Sequence, residues 1–96
     1  MNMTISEISQ KTLPVLRKYG ILSASVVGSV ARGQQTLKSD IDIVIDVIQP
    51  ISLLTFARIK LELEEILQTK VDLIERSAIK PRIRKYILQD EIRLPV

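Results

Sequence analysis

The chain has 96 residues, 46% hydrophobic and 26% charged, which supports one folded domain over residues 1–96 and excludes both wholesale disorder and a second independent core. With no Cys and no His it has no disulfide, no thiolate zinc site and no nucleophile–histidine pair, so carboxylate and lysine chemistry remain, with a hard cation such as Mg²⁺ the natural cofactor for the carboxylates. The net charge of +3 is mild, yet six basic residues stand against two acidic ones from Arg76 onward, so the C-terminal tail is basic and the rest is slightly acidic. Zero Trp, one Phe and two Tyr leave no aromatic platform for stacking bases, and no specific nucleic-acid partner is expected. No apolar run approaches the ~20 residues of a membrane span. No charged-then-apolar leader opens the chain, so a cytoplasmic protein without a membrane partner is the expectation.

Thr4-Ile5-Ser6-Glu7 has the form of a capping box, and Ile5, Ile8, Leu16 and Tyr19 then fall near one face of a helix that Gly20 is placed to end. Pro14 interrupts that helix, either kinking it or opening a second one at about Leu13. Residues 22–27 read as a strand running into Gly28-Ser29 and a helical turn, Val30-Ala31-Arg32-Gly33. After the polar loop 34–39, residues 40–47 alternate apolar and acidic side chains, the pattern of a half-buried strand with an acidic face. Pro50 breaks it. Ser52 caps an amphipathic helix with Leu53, Phe56, Ala57, Leu61, Glu64 and Leu67 on one side. Residues 71–74 form a third strand, and a last helix starts near Pro81 with Ile83, Tyr86 and Ile87 as its inner stripe. The tail residues Ile92, Leu94 and Val96, with that basic helix, offer a docking surface or a route to a homo-oligomer.

The chemistry gathers at three acids and a glycine–serine turn. Asp40 and Asp42 are two apart on a strand, so both side chains leave the same face with Cα atoms roughly 6 to 7 Å apart. Two carboxylates at that separation repel by roughly 2 to 3 kcal/mol at an effective dielectric near 20, which a divalent cation relieves. Asp46 shares their face but lies about 13 Å beyond Asp42 and reads as solvated. Asp72 stands alone among apolar residues on the neighbouring strand, where an acid calls for a partner, a cation or exposure at an edge. Gly28 and Ser29 end a strand where free amides and a hydroxyl can hold phosphate oxygens, and Arg32 and Lys38 are the cations nearest to them in sequence.

Taken together, Gly28-Ser29, ten residues, Asp40-x-Asp42, and Asp72 on the following strand resemble the nucleotidyltransferase superfamily that includes DNA polymerase beta. In particular, the run Gly28-Ser29-Val30-Ala31-Arg32-Gly33 followed by Ser39-Asp40-Ile41-Asp42-Ile43-Val44-Ile45 resembles the minimal nucleotidyltransferase (MNT) domains encoded beside HEPN-domain toxins. The resemblance implies an α/β (α+β) fold, a small mixed sheet flanked by helices. It implies that Asp40 and Asp42 ligate two Mg²⁺ ions, that Asp72 holds the catalytic ion and helps deprotonate an attacking hydroxyl, and that Gly28 and Ser29 grip the β- and γ-phosphates of ATP. It further implies an antitoxin that transfers AMP to a tyrosine of a HEPN toxin; the alternative is an idle fold that silences the toxin by binding alone.

Overall fold

The computed structural model describes residues 3–33 and 40–96, so Lys38 and the loop around it lie outside the described residues. The elements in chain order are α1 (Ile5–Lys18), β1 (Ser23–Val27), α2 (Gly28–Ala31), β2 (Ile41–Asp46), α3 (Leu53–Leu67), β3 (Val71–Glu75), a 3₁₀ turn (Arg76–Ala78), α4 (Pro81–Leu88) and β4 (Ile92–Leu94). The four strands form one sheet in the order β3-β2-β1-β4. β1 pairs antiparallel with both β2 and β4, whereas β2 and β3 are parallel, as their α3 crossover requires. The small mixed sheet flanked by helices is therefore the observed architecture.

Alternation along the strands divides the sheet into two unlike faces. One carries Ala24, Val26, Ile41, Ile43, Ile45, Val71, Leu73 and Leu94, which join Ile8, Leu16, Ile59, Leu63 and Leu67 of α1 and α3 in the main core. The other carries Ser23, Ser25, Val27, Asp42, Val44, Asp46, Asp72 and Ile74. On it a smaller apolar cluster of Val27, Val44 and Ile79 is covered by Ile74, Ile87 and Leu88. The second face is thus half roofed by α4, and its polar remainder carries Asp42 and Asp72.

The helix ends follow the expected chemistry. Thr4 Oγ1 accepts from the Glu7 amide at 3.1 Å, and Ser52 Oγ accepts from the Thr55 amide at 3.0 Å, each satisfying an amide that has no partner inside its helix. Gly20, at φ +67°, closes α1 with its amide on the Arg17 carbonyl and the Ile21 amide on the Leu16 carbonyl. Pro14 does not open a second helix: α1 runs through it unbroken, and Gln10, whose carbonyl loses its intrahelical partner, is exposed to solvent.

Three stripe assignments need correction. In α3 the buried residues are Ile59, Leu63 and Leu67, while Leu53 and Leu61 are 84% and 62% exposed. This helix carries leucine and isoleucine around much of its circumference, so periodicity alone does not fix which side faces the sheet. Glu64 is drawn to the start of β3, where its carboxylate accepts from the Val71 amide at 3.0 Å. In α4, Ile83 and Tyr86 are exposed and the covering residues are Ile87 and Leu88. The tail is not a free docking surface either: Ile92–Leu94 pairs with β1, Leu94 is buried, and Val96 packs on the main core. A three-residue strand offers too short an alternation to read from sequence.

Candidate active site

The site is built on one transverse row of the sheet. Val27 of β1 pairs with Asp42 of β2, and Asp42 pairs with Asp72 of β3, so the two acids stand side by side on adjacent strands, whose spacing is roughly 4.8 Å. Asp40 immediately precedes β2 and is exposed, Asp72 is exposed, and Asp42 between them is half-buried. Burial is the largest influence on Asp42. A hydrogen bond with Asp72 and the charges of Asp72 and then Asp40 add to it against the weaker pull of Arg32, and together they push its carboxyl up to about 6.

Gly28 follows Val27 and explains the close approach of the main chain to this carboxylate. Its φ is +75°, and a Cβ added there would collide with Asp42 Oδ2 and lie 3.3 Å from Asp42 Cγ. Only glycine satisfies both the backbone angle and the contact. The residue after it, Ser29, is partly buried in the single turn of α2. Gly28 is therefore brought against Asp42, and Ser29 is the next residue along the chain. Arg32 ends that turn and pairs with Asp90 at 3.5 Å, from the turn that precedes β4.

The donor set suits a hard cation. Two carboxylates share a hydrogen bond on a half-buried surface, with a third contributing charge, and removing that mutual repulsion is what a divalent ion does. Among the described residues no three carboxylates converge into a closed cage. Asp42 and Asp72 are the paired ligand candidates, with Asp40 as an exposed neighbour that leaves room for substrate oxygens.

Asp46 is not solvated. Arg76 Nε donates to both of its oxygens at 2.9 and 3.0 Å, and Ser23 donates to Oδ2. The Arg76 guanidinium also binds Glu91, which accepts from Ser25 Oγ at 2.5 Å. Its hydrogen bond to Glu91 is the largest cause holding the guanidinium above its ordinary value, and the same bond holds Glu91 below its own. This network fastens β1, β2, the 3₁₀ turn and the residue before β4 to one another on the same sheet face as the acid row, toward the other end of the strands. Sequence reading missed it, and the available signals were two acids that could each take a partner and the alternate serines of β1.

A groove of about 460 Å³ opens at the other end of β3, lined by Ile51, Leu53, Phe56, Leu73, Ile74 and Ala78 among others. It lacks a convergent set of charged groups. Carboxylates gather at the acid row instead.

Residues 9–94 match the nucleotidyltransferase domain family, and the chain belongs to it. A candidate protein adenylyltransferase of Methanocaldococcus jannaschii is 41% identical over 90 residues, covering 94% of this chain and 97% of that protein. A solved structure described as a candidate minimal nucleotidyltransferase is 31% identical, with a TM-score of 0.79 over 94% of this chain and 95% of its own. The fold is also shared, at 16% identity and a TM-score of 0.73, with a chain from the complex of a tri-AMPylated Shewanella oneidensis HEPN toxin with its MNT antitoxin, covering 93% of this chain and 70% of that one.

Proposed function

We propose that this chain is a metal-dependent nucleotidyltransferase that moves AMP from ATP onto a hydroxyl, a tyrosine in the first instance, of a partner HEPN-class toxin, and acts as its antitoxin. The observation that carries the reading is the Val27–Asp42–Asp72 row with Gly28 packed against Asp42. The relatives named for protein adenylyl transfer, and the AMPylated toxin complex that shares the fold, support the choice of a protein acceptor.

Asp40, Asp42 and Asp72 are the residues that would hold two Mg²⁺ ions, which when bound neutralise the triphosphate and stabilise the entering and leaving oxygens. The chain's own groups do the rest. Gly28, lacking a side chain, lets the β- and γ-phosphates approach the backbone, and the Ser29 hydroxyl donates to them. Arg32, at the end of the turn that Gly28 and Ser29 begin, adds positive charge for the phosphates, and Lys38, outside the described residues, is the second cation assigned to them. Asp72, exposed at the outer end of the row, accepts the proton of the acceptor hydroxyl on its carboxylate. The acceptor oxygen bonds to the α-phosphorus in line as the bond to the bridging oxygen breaks, and diphosphate leaves with that electron pair.

Incubating the protein with its partner, Mg²⁺ and each of the four α-labelled triphosphates tests this. Label on the partner from ATP, lost on chelation, is the expected result. No label from any triphosphate would remove the catalytic reading and leave neutralisation by binding alone.

A further inference from the structure

We infer that the outer face of α4, built on Arg82, Lys85 and Tyr86 with Ile83 at its flank, is the docking surface for the acceptor protein and that it receives an acidic, partly apolar patch of that protein. The inference rests on the proposed transfer to a protein hydroxyl and adds where that protein sits.

Four observations converge on this helix. α4 spans Pro81–Leu88 without a buried residue, although its sequence is strongly two-sided. At 100° per residue, Ile87, Arg84 and Leu88 share the side turned to the sheet, and Ile87 and Leu88 do pack on the apolar cluster there. Arg82, Lys85 and Tyr86 share the opposite side, where Tyr86 is 71% and Ile83 43% exposed. Exposed aromatic and aliphatic groups set among cations are the composition of a protein contact, where tyrosine and arginine anchor and opposite charge steers.

Charge then selects the partner. The helix holds Arg82, Arg84 and Lys85 and no acid, and the exposed Lys80 precedes it, so an acidic surface is complementary and a basic one is repelled. Position supplies the last argument. α4 roofs the sheet face that bears Asp42 and Asp72, and the turn at its end brings Asp90 to 3.5 Å from Arg32. A protein seated on α4 therefore docks on the helix that covers part of the sheet face bearing those acids. An RNA backbone would use the lysine and arginines but leave Ile83 without a counterpart.

The test is calorimetric affinity for the HEPN-class partner of the proposed transfer, with label transfer read in parallel. Arg82→Glu with Lys85→Glu is expected to weaken binding about tenfold or more, and Tyr86→Ala about tenfold, with unchanged melting and unchanged affinity for Mg²⁺–ATP. A control reversal on α1, Lys11→Glu with Arg17→Glu, is expected to stay within about twofold of the parent. If the α4 variants bind as the parent does, or both reversals weaken binding equally, the docking surface is wrong. It is equally wrong if the parent protein does not bind the partner, or if the α4 reversal abolishes binding of an RNA oligonucleotide and spares the protein. Binding without label transfer, still lost in the α4 variants, would overturn the transferase reading and leave the surface standing.

Discussion

Replacing Asp42 with Asn makes the electrostatic cost of the site measurable without any substrate. In the metal-free protein the Asp42 carboxyl sits at about 6 against an ordinary value of 3.8, so folding favours its protonated form. A difference of roughly two pH units corresponds to roughly 3 kcal/mol, and because the group is only half-buried, solvent screening reduces this to on the order of 1 kcal/mol. A carboxyl raised in the folded state contributes its stability below the unfolded value and loses it as pH rises through the folded one, so the window is pH 4 to 6. Asp42→Asn keeps the shape and a hydrogen bond to Asp72 but never ionises. It is therefore expected to melt about 4 to 8 °C higher than the parent at pH 7.5 in chelator, with the difference vanishing near pH 4. Thermal unfolding across that range is the assay. An Asn variant no more stable at pH 7.5, or one whose advantage does not change with pH, would refute the claim that uncompensated carboxylate charge is concentrated at Asp42.

Other residues give independent checks. Gly28→Ala is expected to abolish nucleotide transfer and cost about 1–3 kcal/mol of stability, since it adds a Cβ against Asp42 at φ +75°; a variant active at parental rate would show that the contact is dispensable. Arg76→Met leaves Asp46 and Glu91 facing each other partly buried and is expected to lower stability by about 2 kcal/mol, less than the loss for fully buried pairs, as read by urea unfolding. Gln68 closes α3 at φ 55°, so Gln68→Gly is expected to raise stability by up to about 1 kcal/mol despite loss of its hydrogen bond to the Glu65 carbonyl; a destabilised variant would show that bond to dominate.

What the sequence discloses depends on how local the cause is. Caps, the glycine that ends α1 and the three longer strands arise from residues within a few positions of each other, and Thr4, Ser52 and Gly20 were legible for that reason, whereas the Asp42–Asp72 pair joins two strands and Asp72 showed locally only as a lone acid among apolar residues. The side of α3 that faces the sheet was not, because a helix apolar around much of its girth is oriented by the shape of the sheet rather than by its own pattern. Asp46 illustrates a longer-range cause. Its partner Arg76 is thirty residues away in the chain, and nothing near Asp46 distinguishes a solvated acid from one held in a network. β4 is held by pairing with β1, far upstream, and a terminal triplet carries no signal of that.

The most direct measurement is the intact mass of the HEPN-class partner after incubation with Mg²⁺ and ATP, using the parent chain and its Asp42→Asn variant side by side. The account predicts that the parent adds the mass of AMP to the partner at a tyrosine, and that the Asn variant, folded and more stable, adds none. A partner of unchanged mass with the parent chain, or one modified equally by the Asn variant, would contradict it.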